Sequence, residues 1–430
     1  MAKKLWEKGI ETDAFIEQFT VGKDRELDLL LAKHDVDGTI AHITMLESVG
    51  LLEKSELDVL IKELERIQNE VIATNNFKIE DGVEDVHSQI ELMLTEKLGD
   101  IGKKIHSGRS RNDQVLVDLR LFLREQLQEI KELTKSLFDA LISQAETYQD
   151  VLMPGYTHTQ AAMPSSFGMW FSAYGESLVD DTELLNGAYK VVNRNPLGSA
   201  AGYGSSFPLN RQMTSDLLGF ESMVFNSVYA QMGRGKTEQI VASAMANLAS
   251  TLNKMAADVC LYNSQNFQFL KLPDNLTTGS SIMPHKKNPD VFELLRAKTN
   301  IIMALPNQIM MSLGNLTSGY HRDFQLLKEV LFPAIEELKS CLHIAEYSVS
   351  KIEPVQNILD DPKYKLIFSV EAVNELVLQG VPFREAYQQV AANIEDGSFE
   401  PPKELNHTHQ GSIGNLMLKE IKERMQRLLG

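Results

Sequence analysis

The sequence predicts an all-α protein organised around a bundle of long helices. From Asn112 to about Gln149, Leu116, Leu119, Leu123, Leu127, Ile130, Leu133, Leu137 and Leu141 keep a three-four spacing with no glycine or proline between them. A second run from Lys236 to about Gln265 carries Ala242, Ala244, Ala246, Ala249 and Ala256, small enough to let helices approach closely. Strand-like alternation is almost absent. Helices of this length belong to bundles or to cores shared between subunits.

Residues 1–108 read as an N-terminal domain of shorter helices. Leu27, Leu30 and Leu31, then Ile40, Ile43 and Leu46, recur at helical spacing, and Gly50 is the expected stop. Ser55 is the expected N-cap of a helix carrying Leu57, Leu60, Ile61, Leu64 and Ile67, broken at Asn75-Asn76. After Glu84-Asp85-Val86-His87-Ser88 comes an amphipathic segment with Ile90, Met93, Leu94 and Leu98; His87 reads equally as a site residue or a helix cap. Residues 109–351 form the central domain. Beyond the two runs above it includes helices from Pro289 to Leu313 and from His321 to Lys351, with Pro306 and Pro333 inside them. From Glu353-Pro354 the pattern reverts to short helices and turns, so residues 352–430 read as a small C-terminal helical domain.

The chain has 430 residues, 42 Lys and Arg against 59 Asp and Glu, and a formal net charge of −17. A surface this acidic argues against nonspecific nucleic-acid binding, but a local basic cluster can still hold an anionic small molecule. Cys260 and Cys341 lie inside helical patterns and read as thiols, not a disulfide. Met1–Glu7 lacks the apolar run of a signal peptide, and no window reaches the roughly 18 apolar residues of a membrane span. The expectation is a cytoplasmic protein that does not engage a membrane.

Three polar clusters interrupt the helical background. The first is His106-Ser107-Gly108-Arg109-Ser110-Arg111-Asn112-Asp113-Gln114, where the first long helix begins. Arg109 and Arg111, with Ser110 and Asn112, at a helix entrance are suited to clamp carboxylates bidentately. A helix cap would account for Asn112 or Asp113 alone. The second is Gly155-Tyr156-Thr157-His158-Thr159-Gln160, whose histidine is either an oriented acid or base, or structural. The third is Gly279-Ser280-Ser281-Ile282-Met283-Pro284-His285-Lys286-Lys287-Asn288-Pro289: flexible backbone, two lysines and an amide ahead of a helix. Its plain alternative is a solvated surface loop. Glu293, on the following helix, is placed to hold a histidine or else is an exposed carboxylate. His407 and His409 lack partners at metal-ligand spacing, and Gly202-Tyr203-Gly204 follows no buried strand, so neither a metal nor a dinucleotide site is expected.

The third cluster resembles the signature of the fumarase/aspartase superfamily, whose members eliminate fumarate from substituted succinates. The first cluster narrows the resemblance to the argininosuccinate lyase branch. Gly155–His158, Asn195–Ser199, Phe207–Arg211, Tyr320–Gln325 and Lys328 match it in order. The likeness covers about residues 20–350. It implies a fumarase/aspartase-like fold of three helical domains whose central bundle forms the core of a homotetramer, with each active site drawing on three chains. It also implies cleavage of the small molecule argininosuccinate into arginine and fumarate, in arginine biosynthesis, without metal or organic cofactor. Carried over by position, Ser280 and His158 are catalytic, with Glu293 partnering His158. Asn112, Thr157, Tyr320, Gln325 and Lys328 fall on substrate-binding positions, and Lys286 and Asn288 on carboxylate-binding ones. Thr20 stands where the family has a substrate-contacting serine, keeping a hydroxyl and adding a methyl. The tract after Trp6 lacks the usual Gly-Gly-Arg-Phe, and His285 and His321 replace residues commonly glutamine and asparagine.

The chemistry explains the residue types. Elimination removes a weakly acidic C–H proton beside a carboxylate, so donors such as Lys286 and Asn288 must face that carboxylate before charge develops. His158, held by Glu293, can protonate the leaving guanidino nitrogen. Which of Ser280 and His158 is base and which acid stays open at this level. Adenylosuccinate lyase, which shares the reaction, and a crystallin-like structural protein are the alternatives. The Arg109–Asn112 run disfavours the first, and intact Ser280, His158 and Glu293 the second.

Overall fold

The computed structural model describes residues 14–402 and 405–429. The divergent tract after Trp6 and the Met1–Glu7 stretch lie outside them. The chain is predominantly helical and divides into two compact units, each drawn from three stretches. One comprises Met1–Ile130, Leu184–Ala246 and Ile302–Glu337; the other comprises Lys131–Glu183, Asn247–Ile301 and Leu338–Gly430.

In the first unit the helix Ala32–Ser48 buries Val36, Ile43 and Leu46. It stops at Gly50, as expected. With φ of +77°, Gly50 donates to the Glu47 carbonyl at 3.0 Å while Leu51 donates to Leu46 at 2.8 Å, a Schellman pairing. The next helix, Lys54–Arg66, corrects the expected cap. Glu53 and Glu56 close a reciprocal capping box one residue ahead of the helix, which leaves Ser55 inside the first turn. Asp85 caps the helix Val86–Leu98 through Ser88 N at 2.9 Å, so His87 is not the cap. Ala41, Val117, Leu121, Leu197, Leu218 and Phe220 form one buried cluster of this unit. Emptying such a site by Leu→Ala typically costs about 2–5 kcal/mol.

The long helices run close to their expected bounds: Arg111–Thr147, Lys236–Tyr262, Asp290–Ser312 with Pro306 inside, and Leu326–Val349 with Pro333 inside. The last is shorter than expected because Arg322–Gln325 is a 3₁₀ turn. A further long helix, Phe167–Val192, completes the set. Ala242, Ala244, Ala249 and Ala256 are buried, in keeping with close helix approach, and Ala246 is half-buried. Cys260 and Cys341 are not joined in a disulfide.

The second unit holds the element that the sequence hid, an antiparallel hairpin of Leu152–Thr157 and Gln160–Ser166. Pro154 faces Pro164 across it, two residues that cannot donate to a ladder and so disguise both strands. Its base is clasped by Phe167 N donating to Val151 O (2.9 Å) and Gly168 N to Tyr148 O (3.0 Å). A side chain at 168 would put its Cβ 2.5 Å from Gln149 Cα. The C-terminal part of this unit has its own small core of Val373, Ala386, Val390 and Phe399. Among the described residues, no helix is long and apolar enough to cross a membrane.

Candidate active site

The first unit contains a cavity of about 310 Å³. Four residues expected to bind substrate line it: Asn112 from the start of the first long helix, Tyr320 and Gln325 from the segment leading into Leu326–Val349, and Lys328 from the first turn of that helix. Lys328 is almost wholly buried, with Nζ 2.7 Å from Asp24 Oδ1 and 2.5 Å from Asp28 Oδ1. Burial would lower its pKa, but the two carboxylates hold it above the ordinary lysine value. Burial also pushes Asp24 up to about 6, against the opposing pull of Lys328. Gln325 Nε2 donates to the carbonyls of Thr20 (3.0 Å) and Val21 (2.9 Å). Thr20 therefore approaches the cavity wall through its main chain, while its hydroxyl donates to Ile16 O at 2.9 Å.

The run Arg109–Asp113 divides its labour. Ser110 and Asp113 make the cap: Ser110 Oγ accepts from Asn112 N at 3.3 Å, and Asp113 Oδ1 from Ser110 N at 2.8 Å. Asp113 Oδ2 also accepts from Gly198 N and Ala200 N at 2.9 and 2.8 Å, tying the 198–200 turn to the helix. Arg109 does not line the cavity; it is buried and donates to Thr39 Oγ1 at 3.0 Å. Arg111 does line the cavity, held by Glu84 Oε2 (2.9 Å), Asp85 Oδ2 (3.0 Å) and Ser88 Oγ (2.9 Å).

In the second unit the two-residue loop of the hairpin is His158-Thr159, with φ of +52° and +61°. Two successive positive φ values mark a type I′ turn, which normally selects Asn-Gly. Holding a histidine and a β-branched threonine there costs on the order of 1–3 kcal/mol each. His158, Thr157 and Thr159 are all exposed at the tip. The signature segment is a solvent-facing loop closed at its neck by Thr278 and Asn288, which exchange backbone hydrogen bonds of 3.1 and 2.8 Å. Lys287 pairs with Asp274, and Thr278 donates to Asp290. Ser280 Oγ accepts from Met283 N at 3.1 Å and Ile282 N at 3.4 Å, and Lys286 is exposed. Pro289 stands just ahead of the helix Asp290–Ser312, its carbonyl accepting from Phe292 and Glu293. Glu293 is exposed on the first turn. Within this single chain, no hydrogen bond joins His158, Ser280 and Glu293 among the described residues.

Residues 7–304 match a protein family described as lyase. An argininosuccinate lyase of Parabacteroides distasonis is 63% identical over 430 residues, covering 100% of this chain and 96% of that one. The chain belongs to the argininosuccinate lyase family. A second member, from Bacteroides thetaiotaomicron, is 62% identical over 429 residues, again covering 100% of this chain and 96% of its own length. Among solved structures, that of EDDS lyase in complex with formate superposes with a TM-score of 0.78 at 24% identity, covering 98% of this chain and 91% of that one. That likeness bears on the fold alone and agrees with the all-α reading. Family membership favours the argininosuccinate lyase reading over both alternatives.

This family member's cavity is also lined by residues outside the expected substrate-binding set. Arg234 lines it, buried beneath Tyr320 and Phe324 with its guanidinium 5.9 and 5.6 Å from their rings. Its position inside Met232-Gly233-Arg234-Gly235 gave no helical or cluster signal. Arg322 reaches the cavity too, donating to Glu84 Oε1 and Thr20 O, both at 3.0 Å. His87 forms part of the wall with Nδ1 2.7 Å from Asp35 Oδ1 and 3.4 Å from Asp118 Oδ2. Burial would depress its imidazole, but Asp35 foremost, then Asp85 and Asp28, hold it above the ordinary histidine value. Asp118 is driven well above the ordinary carboxylate range by burial and by Asp35 beside it. Asp35, His87 and Asp118 bring three ligand-type atoms within 4.8 Å of one another. The three side chains form a buried polar cluster behind the cavity, with the buried Arg109 guanidinium among the charges that act on it.

Proposed function

We propose that this protein cleaves argininosuccinate to arginine and fumarate by β-elimination. The observation that carries the reading is one cavity lined by Asn112, Tyr320, Gln325 and Lys328, residues separated by some two hundred positions in sequence. Arg111, Arg234 and Arg322 add positive charge around it, balanced by acidic neighbours. Such a mixed cavity suits a zwitterionic substrate carrying both carboxylates and a guanidinium.

In this reading Asn112, Thr157, Tyr320, Gln325 and Lys328 position the substrate, assisted by Thr20, Arg109 and Ser110 through the wall and the helix cap they build. Ser280, Lys286 and Asn288 act from the signature loop. The loop closes over the succinyl carboxylate, where Lys286 and Asn288 stabilise the aci-carboxylate that forms as the proton leaves. Ser280 removes that proton. His158, oriented by Glu293 from another chain, gives a proton to the departing nitrogen. Exposure of both loops in the single chain supports assembly of the site from several chains. So does the exposed apolar row Leu294, Ile301 and Met311 on one helix, which suits burial in a homotetramer. The domains at work are the segments 1–108, 109–351 and 352–430, in a cytoplasmic enzyme.

Spectrophotometric fumarate release from argininosuccinate, set beside adenylosuccinate, tests the reading. Turnover confined to argininosuccinate is expected. Release from adenylosuccinate alone, or from neither by a folded protein, overturns it.

A further inference from the structure

The loop His158-Thr159 sits in a backbone conformation that neither residue favours, so something outside the turn must hold it. The register of the hairpin shifts between Gly155 and Tyr156, an irregularity of the kind that re-aims the side chains beyond it. The residue at that shift is anchored. The Tyr156 ring packs 5.6 Å from Phe267 and 6.3 Å from Phe269, centroid to centroid, and its hydroxyl lies 3.3 Å from that of Tyr364. Tyr364 is buried, sits 6.3 Å from Phe269, and belongs to the 3₁₀ segment Pro362–Phe368. Asp361 caps that segment by accepting from Lys363 N at 3.0 Å.

The same C-terminal stretch reaches a second loop. Glu353-Pro354 pairs antiparallel with Leu270-Lys271, and Val355 N donates to Phe269 O at 2.9 Å. Leu270-Lys271 is the last strand before Asp274–Leu276 and the signature loop that carries Ser280. One short stretch, residues 353–368, thus underpins both the hairpin of His158 and the approach to Ser280. All of these residues belong to the second compact unit.

We propose that Tyr156 and Tyr364 are positioning residues: their contact, backed by Phe267 and Phe269, fixes the strained turn so that His158 is presented in one orientation. This gives the stretch after Glu353 a part in catalysis without contact to substrate. It rests on the reading of His158 as a catalytic group. A strained turn relaxes when its support is lost, and a displacement of about 1 Å in a catalytic group can cost on the order of a hundredfold in rate. A partial loosening should cost less.

The test is Tyr364→Phe, which keeps the buried ring and removes only the hydroxyl, measured in the intact protein with argininosuccinate and alongside Tyr156→Phe. Tyr364→Phe should lower kcat about five- to tenfold with KM within about twofold, and Tyr156→Phe should match it because each removes the same contact. Hydrogen exchange of the 152–166 amides should quicken in both, with exchange elsewhere unchanged. On a His158→Asn background the Tyr364→Phe factor should shrink to under about twofold, because the tether acts through that histidine. Faster exchange with unchanged kcat overturns the proposal, since the contact would then be structural only. A kcat loss that persists undiminished on the His158→Asn background overturns it as well. Near-normal turnover of His158→Asn itself would instead sink the catalytic reading of His158, a result the exchange data do not influence.

Discussion

The Nζ of Lys328 lies 2.5 Å from Oδ1 of Asp28, and neither side chain is more than a few per cent exposed. Asp24 completes the set at 2.7 Å, its carboxyl pushed up to about 6, chiefly by burial. An acid with a raised folded pKa stabilises the fold when protonated, and that contribution is lost as the pH rises through about 6. Lys328, also raised, loses its contribution only far on the alkaline side. Urea midpoints of the wild type should therefore fall from pH 5 to pH 7 by more than those of Asp24→Asn, which cannot ionise. An equal fall in both proteins would show that Asp24 titrates as an ordinary carboxyl.

Arg109 and Asn112 stand three residues apart but should fail differently when replaced. Arg109 is buried among Asp35, Asp113 and Asp118, so Arg109→Met leaves uncompensated acids and should cost about 3 kcal/mol or more in stability. The folded fraction should keep its KM. Asn112→Ala should do the reverse, raising KM about tenfold or more with little change in denaturation midpoint, since it faces the cavity. A stable Arg109→Met protein with weakened substrate binding would move Arg109 into the site.

Much of the fold is legible in the sequence. The long helices declared themselves because leucines at three-four spacing have no other reading over thirty residues. Gly50 stopped its helix as expected, because a Schellman turn needs the positive φ that glycine supplies. The hairpin was invisible because Pro154 and Pro164 suppress the strand signal, and because its turn uses His-Thr where Asn-Gly would have announced it. Arg234 was missed for a different reason: its membership of the cavity depends on Tyr320 and Phe324, close in space and some ninety positions away in sequence. The Ser55 error was local, since a glutamate capping box competes with a serine two residues later.

Ser280 accepts two loop N–H groups and stands half-exposed in an open loop, as a residue that acts only after closure would. Ser280→Ala should lower kcat by about 10²–10³ or more while fold and assembly stay intact. Near-normal turnover by a folded variant would remove Ser280 from the mechanism.

Glu293 occupies the first turn of its helix, exposed in the single chain. If it orients His158 and stabilises its charged form, Glu293→Gln should lower kcat and displace a limb of the pH-rate profile, with KM largely kept. A slower enzyme with an unmoved profile would show that the two residues are not coupled.

Ser280 and His158 lie 122 positions apart, on two exposed loops that no hydrogen bond joins among the described residues of one chain. If each active site takes them from different chains, Ser280→Ala and His158→Asn proteins, each reduced to a small residual activity, should rescue one another after mixing and reassembly. A hybrid site is whole only when its Ser280 comes from the His158→Asn parent and its His158 from the Ser280→Ala parent. With random assembly of an equal mixture, roughly a quarter of sites meet that condition. Restored sites are complete, so KM should equal that of the wild type while kcat per chain recovers to about a quarter. Were both residues supplied by the same chain, every site would carry one lesion and mixing would restore nothing. Native mass spectrometry that finds hybrid assemblies with no activity above either parent would therefore rule out the shared site.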